Sequence, residues 1–356
     1  MKLLVSALEP SSNLHLASLM KHLEGKVELM GIFDSKLSTK PPLYTPDQFS
    51  VMGFLDVIER LGFFWRAKKE MAHLASEADK ILLMDSSSFN IPLAKAIKKA
   101  FPSKEIIYYI LPQVWAWKPW RAKAIEESCD FLAAILPFET ACYQSKAEYV
   151  GHPLLDLLPP IRTSLPKEER IAFMPGSRKG EIGRLFPVFR EVARRIEAPK
   201  TLVIPSIYEG ASLEEIYGDL EGFELSYDAP KTLLESSFAF ICSGTATLEA
   251  ALLGIPLVLA YKARPLDYFI AKNLVKIEHI GLANIFETRR GEEPLHEELL
   301  QEGVNVEALL EAYWRCDKEH FVERAKALRG YLRKGSSLRV AQRILEIDSK
   351  VIFNDG

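Results

Sequence analysis

The sequence predicts two doubly wound α/β domains, each a parallel sheet with helices on both faces and the two facing a cleft. Three observations carry this. Short, continuously apolar runs alternate with segments of helical period, the pattern of strands buried on both faces. The alternation breaks at Leu154–Glu169, "LLDLLPPIRTSLPKEE", and then starts again. A chain of 356 residues is too long for one ordinary core.

Taken in order, Lys2–Leu8 reads as a buried first strand, and its apolar stretch is too short for a secretory signal. Val27–Phe33, Lys80–Met84, Ile106–Leu111 and Phe131–Leu136 follow as strands, with helix-period segments at Ile91–Ala100 and Arg121–Glu127. The prolines and charged tail of Leu154–Glu169 read as a linker. Arg170–Met174, Thr201–Ile204, Phe238–Cys242 and Pro256–Tyr261 are the strands of the second half, and Val306–Ile347 reads as two or three helices. The expected domains are therefore 1–160 and 161–335, with 336–356 a terminal helix that packs back on the first.

Composition narrows the class. A hydrophobic content of 48% with 26% charged residues describes a folded globular chain. A net charge of −3 carries no polyanion signature, so no nucleic-acid partner is expected. No apolar run approaches the roughly 20 residues of a membrane span. Cys129, Cys142, Cys242 and Cys316 form no CxxC pair and read as free thiols of a reducing cytoplasm, with no metal site and no cofactor.

Doubly wound sheets bind ligands beyond the carboxyl ends of their strands, so the chemistry belongs in the loops there. "PGSRKGEI" follows Arg170–Met174. Gly176 permits close backbone approach, Ser177 and Arg178 offer donors, and a helix starting at about Gly180, with Glu181 in its first turn on the donor side, supplies an anion-binding end. "SGTATLEAALLGIP" follows Phe238–Cys242. There Ser243 or Thr245 caps a helix, Gly244 leaves room for a phosphate, and the N–H groups of Thr245, Ala246 and Thr247 stay free. Glu249 lies one turn beyond Thr245, placed to accept from a ribose diol. "DSSSFN" follows Lys80–Met84, so Asp85 and Asn90 lie at a strand's carboxyl end, where Asp85 is either a helix cap or a base. Glu9 follows the first strand. His152 in "VGHPL" reads as structural. "PQVWAWKPWRAKAI" gathers Gln113, Trp115, Trp117 and Trp120 beside Lys118 and Arg121. That segment is either core or a substrate surface, with Trp115 and Trp117 facing the same way if the loop is extended.

Together with "VMGFLDVIERL", "LPFE" and "GLANIF", these stretches resemble the lipid-A-disaccharide synthase family, inverting glycosyltransferases of the GT-B architecture. Their order runs from residue 51 to residue 286. Two departures stand out. The first loop reads "LEPSSN" where the family reads like GEASGD, and Ala283 precedes Asn284 where the family has proline. The resemblance implies UDP-2,3-diacylglucosamine as donor, 2,3-diacylglucosamine 1-phosphate as acceptor, and no metal. It matches Asp85 to the family's essential aspartate, Arg178 to its essential arginine and Asn284 to its asparagine; Asp85 is then the expected general base, with Glu9 in reserve, and Arg178 and Asn284 are expected on the donor side. Other readings in play are a UDP-sugar 2-epimerase of the same architecture and a non-catalytic lipid- or nucleotide-binding protein.

Acylated substrates sit in a bilayer, so a peripheral protein on the inner face of the cytoplasmic membrane is expected, with a homodimer compatible. The expected docking stretch is Phe54–Lys69, with Phe63, Phe64 and Trp65 beside Arg66, Lys68 and Lys69.

Overall fold

The computed structural model describes residues 1–50, 57–264 and 278–346, with backbone alone for 50 and 57–60. Phe54, where the docking stretch begins, the first residues of "VMGFLDVIERL" and Ile347 lie outside the described residues. The chain divides into two compact units, Met1–Leu157 with Leu332–Gly356, and Leu158–Tyr331.

In the first unit the elements run β1 (Lys2–Ala7), α1 (Pro10–Leu23), β2 (Glu28–Ile32), α2 (Asp47–Ser50), α3 (Val57–Leu74), β3 (Lys80–Met84), α4 (Ser87–Ala100), β4 (Glu105–Tyr109), α5 (Arg121–Ser128), β5 (Phe131–Ala134), β6 (Ala147–Tyr149) and α6 (Leu154–Leu157). The strands form one parallel sheet in the order β2-β1-β3-β4-β5-β6. Alternate residues feed two cores. Leu4, Ile81, Leu83, Ile106, Tyr108 and Leu132 pack with Ala67, Met71, Leu93 and Ile97 on one face. Leu3, Val5, Leu82, Met84, Ile107 and Tyr109 pack with Leu16 and Leu19 on the other. This two-sided burial is why the strands read as unbroken apolar runs; each fully buried large side chain contributes roughly 1.5–3 kcal/mol. The helix Ser336–Leu345 adds Val340, Ala341 and Ile344 to the second core. The Asp156 carboxylate holds its start, accepting from Gly335 N at 2.6 Å and Ser337 N at 2.8 Å.

The second unit runs β7 (Ile171–Met174), α7 (Lys179–Arg194), β8 (Lys200–Val203), α8 (Leu213–Tyr217), β9 (Glu224–Ser226), α9 (Ala229–Glu235), β10 (Phe238–Cys242), α10 (Thr245–Leu253) and β11 (Leu257–Tyr261), then the helix Leu282–Arg289, β12 (Glu297–Leu300) and the helices Val306–Arg315 and Lys318–Tyr331. Its parallel sheet has the order β12-β11-β10-β7-β8-β9. Ile171, Phe173, Phe238 and Phe240 pack on Leu185, Phe186 and Phe189 of α7.

One expectation changes. The strand reading omits β6, β9 and β12, each at the end of a sheet. Their sequences, "AEY", "ELS" and "EELL", are short and polar because an edge strand is buried on fewer sides and is protected by charge. The boundary between the two units, Leu157 to Leu158, falls inside Leu154–Glu169, the stretch read as a linker. Its first four residues are α6, and Arg162, only 8% exposed, donates through Nη2 to the carbonyls of Leu233, Leu234 and Ser236 at 3.0, 2.9 and 2.7 Å.

Candidate active site

Each sheet reverses its winding at one place. In the first unit the reversal lies between β1 and β3, and in the second between β7 and β10. The loops after two such strands diverge to opposite faces and leave a crevice, the usual ligand position in this architecture. The loops carrying Glu9, Asp85 and Arg178, and the loop that leads into α10 with Glu249, leave those four strands.

In the first unit Ala7 pairs with Met84, so the loops after β1 and β3 start side by side. Asp85 and Ser86 both adopt left-handed backbone, at φ 50° and 38°. That conformation is strained for residues with a β-carbon and persists only where the surroundings impose it. Here Tyr108 Oη donates to Asp85 O at 2.6 Å, and Asn90 Nδ2 donates to Met84 O at 2.9 Å and Asp85 O at 3.0 Å. Asn90 is fully buried, and its oxygen accepts from Ser6 Oγ at 2.6 Å. Asn90, expected on the acceptor side, is thus spent on the strand ends, where it holds the Asp85 backbone. Burial raises the Asp85 carboxyl above its ordinary range, against an opposing hydrogen bond from the Ser86 backbone. Glu9 stands at the start of α1, with its Oε1 3.5 Å from Ser86 Oγ. The loop "LEPSSN" needs no glycine. Glu9 has ordinary extended backbone, Pro10 takes the first helical turn, and Asn13 Nδ2 ties Ala7 O and Glu9 O at 2.9 Å each.

The tryptophan segment is a turn, not an extended strand. Ala116 N and Trp117 N both donate to Gln113 O, at 3.1 and 3.0 Å. Side chains two apart therefore diverge, and Trp115 and Trp117 do not share a face. Trp115 packs edge-on against Phe138, with ring centroids 5.2 Å apart. Lys118 Nζ lies 5.1 Å from the centre of the Trp117 ring, while Trp120 is 70% exposed. Gln113 is exposed, and Arg121 donates to Ser87 Oγ at 3.0 Å, linking the segment to the start of α4. His152 is buried and pushed down to about 3, chiefly by that burial, which keeps it neutral.

In the second unit the two glycine turns leave neighbouring strands. Gly176 has φ +113°, and a β-carbon there would lie 2.8 Å from Glu181 Oε2 and 3.2 Å from Cys242 Sγ. Glu181 was expected to touch the donor. Instead it is 7% exposed, and its carboxylate takes Arg178 Nη1 at 2.8 Å and Arg178 N at 3.4 Å. It aims the arginine, whose side chain remains 82% exposed and whose proton is held more tightly by this bond. Ser177 is exposed, and its carbonyl accepts from Tyr208 Oη at 2.8 Å. At α10, Thr247 Oγ1 turns back to Gly244 O at 2.8 Å, and a β-carbon on Gly244 would meet nothing within 4 Å. Thr247 N, expected to stay free, donates to Gly244 O at 3.2 Å, so the open N–H groups of α10 are those of Thr245 and Ala246, which have no carbonyl a turn earlier to bond. Ser243 and Thr245 accept no capping bond, since the cap position is Gly244. Glu249 is half-buried, burial raises its carboxyl, and it makes no hydrogen bond among the described residues.

Asn284 sits differently from the expectation that placed it against the donor. It is fully buried; Nδ2 donates to His296 O and Glu298 Oε1 at 2.8 Å each, and Oδ1 accepts from Leu295 N and His296 N at 2.8 and 3.1 Å. Its amide braces the turn before β12. Tyr108 and Tyr208 escaped the sequence reading although each pins a site backbone. The available signal was the hydroxyl alone, which a buried tyrosine must satisfy.

Two doubly wound units, with polar loops at both winding reversals and a paired glycine cradle in one, define the GT-B class of nucleotide-sugar enzymes. Solved structures agree on the fold. A UDP-GlcNAc 2-epimerase from Neisseria meningitidis, bound to UDP-GlcNAc, superposes with TM-score 0.62 at 11% identity, covering 97% of this chain and 100% of that one. MurG of Acinetobacter baumannii superposes with TM-score 0.60 at 13% identity, covering 97% and 99%. The family model for lipid-A-disaccharide synthetase matches residues 3–337. Lipid-A-disaccharide synthases of Helicobacter pylori and Campylobacter jejuni are 54% and 46% identical to this chain. The first alignment covers 95% of this chain and 96% of the relative, the second 97% and 99%. The chain belongs to the lipid-A-disaccharide synthetase family of glycosyltransferases, and the epimerase alternative keeps only a shared fold.

Proposed function

We propose that this chain transfers 2,3-diacylglucosamine from UDP-2,3-diacylglucosamine to the 6-hydroxyl of 2,3-diacylglucosamine 1-phosphate, releasing UDP and a β(1→6)-linked disaccharide 1-phosphate. The observation that carries this reading is the cradle at the β7/β10 reversal, which pairs an aimed, exposed Arg178 with open helix N–H groups and a carboxylate one turn on. Arg178 and the start of α10 bind the diphosphate. They stabilise the charge that develops on UDP as the anomeric C–O bond breaks, worth about 3–4 kcal/mol per well-aimed donor. Glu249 accepts from the ribose hydroxyls. The acceptor oxygen attacks the anomeric carbon and its proton passes to Asp85, a carboxyl whose raised proton affinity suits a general base, worth roughly 10²–10⁴-fold. Glu9 lies on the same edge and polarises the Ser86 region. Lys118, Arg121 and the tryptophan segment serve the acceptor side, through its 1-phosphate and acyl chains.

Docking at a membrane surface follows from the substrates' acyl chains. Among the described residues no helix is long and apolar enough to cross a membrane. The docking stripe differs from the expected one. Phe63 and Phe64 face inward, packed with Tyr44, Phe49 and Phe89. Leu61 and Trp65, 66% and 61% exposed, stand one turn apart on the other face of α3, with Arg66 and Lys69 exposed beside them. Lys68 is partly buried.

Incubation with diacylated donor and acceptor, with products separated by mass, tests the assignment. The disaccharide 1-phosphate and one UDP per turnover are expected. An isomerised single sugar, or no turnover with UDP bound, would overturn it in favour of an epimerase or a binding protein.

A further inference from the structure

We propose that Glu139 is a positioning residue for the tryptophan segment: it fastens the turn after β5 whose Phe138 ring supports Trp115. The inference rests on the reading that this segment serves the acceptor. β4 and β5 are neighbours, so the loops leaving them lie together. Glu139 is 1% exposed, and its Oε2 accepts from Ile135 N and Leu136 N at 3.1 Å each. Its own N–H returns to Leu136 O at 3.1 Å, so the turn is closed from both sides. Phe138, the preceding residue, meets Trp115 edge-on with ring planes at 84°.

The carboxyl is a poor choice for packing alone. Oε1 is buried and makes no hydrogen bond among the described residues, an arrangement that costs stability. An apolar side chain would fill the space at lower cost. What the carboxyl adds is a directional hold on two N–H groups, which fixes the direction in which Phe138 leaves the turn. Nothing in the proton transfer or UDP binding described above uses it. Its effect on catalysis should therefore pass through Phe138 and Trp115 alone.

Steady-state kinetics on the full chain, with each substrate varied in turn, tests this. Glu139→Ala should raise the acceptor KM roughly tenfold, the value of two ordinary hydrogen bonds, while the donor KM and the UDP affinity stay as in wild type. Glu139→Gln, whose carbonyl can accept the same two N–H bonds, should restore the acceptor KM to within about twofold. If Glu139→Ala folds poorly, Phe138→Leu keeps the turn and removes the supporting ring, and it should shift the acceptor KM in the same way. A raised acceptor KM in Trp115→Ala with no change in Glu139→Ala and Phe138→Leu overturns the positioning role. No change in Trp115→Ala either overturns the acceptor reading beneath it. Equal losses for donor and acceptor that glutamine fails to rescue leave Glu139 a stability residue and also overturn the proposal.

Discussion

Gly176→Ala probes the anion cradle with one carbon atom. The native φ of +113° is unfavourable for any residue with a β-carbon, at about 1–2 kcal/mol. The new methyl would also lie 2.8 Å from Glu181 Oε2, 3.0 Å from Glu181 Cβ and 3.2 Å from Cys242 Sγ. Cys242 ends the buried strand β10 and cannot retreat, whereas the Glu181 carboxylate is the free end of a side chain. The carboxylate moves, and the 2.8 Å bond that aims Arg178 is lost. A hydrogen bond to a charged group is worth about 1.5–3 kcal/mol, so losing the arginine's aim should raise the Kd for UDP by roughly 10–100-fold. The backbone strain should lower the melting temperature by a few degrees, at about 2–4 °C per kcal/mol for a unit of this size. Gly222→Ala is the control, because Gly222 also has positive φ, +84°, and open space where a β-carbon would go. Isothermal titration with UDP, alongside thermal melts of both variants, separates strain from site. Unchanged UDP affinity in Gly176→Ala, or an equal loss in Gly222→Ala, refutes the cradle.

Asp85→Asn keeps the shape of the loop and removes the base; turnover should fall at least roughly 100-fold with UDP affinity unchanged, and near-normal turnover would exclude Asp85 from the role. Glu249→Ala should weaken UDP binding but not inorganic diphosphate in titrations, and equal losses would contradict the ribose contact. Burial pushes the Glu139 carboxyl up to about 8 from 4.5. Between those values the folded chain keeps a proton that the unfolded chain has released. Stability therefore falls as pH rises through that window, by about 1.4 kcal/mol per pH unit and on the order of 3–5 kcal/mol in all. Denaturant melts from pH 5 to pH 9 should show this fall relative to Glu139→Gln, and parallel curves would show that Glu139 ionises normally. A Leu61→Ser, Trp65→Ser variant should fold and turn over detergent-dispersed substrate, yet fail to sediment with anionic vesicles that pellet wild type at low salt. Sedimentation like wild type would place the docking surface elsewhere.

Much of this architecture can be read from the chain alone, and for a local reason. A strand buried on both faces has to be apolar at every position, so β3 and β10 announce themselves with their limits intact as "KILLM" and "FAFIC". Glycine turns that open helices mark the loops proposed for the donor just as directly, because only glycine tolerates the backbone at Gly176. Edge strands stayed hidden, since β9 and β12 are defined by a neighbour's hydrogen bonds and not by their own side chains. What only the tertiary structure decided was which side chains are free. The order of strands brings Glu9 beside Ser86 and the Gly176 turn beside Cys242, although they are far apart in the chain. Folding then spends some polar groups internally. Asn90, Asn284 and Glu181 are committed to backbone carbonyls and amides, to a neighbouring carboxylate or to Arg178. Arg178 and Trp65 are left facing outward, and the half-buried Glu249 is left with no hydrogen bond among the described residues. The letters of a motif do not separate these two groups, because a buried polar atom must be satisfied by whatever the fold places next to it, and that partner is set by topology.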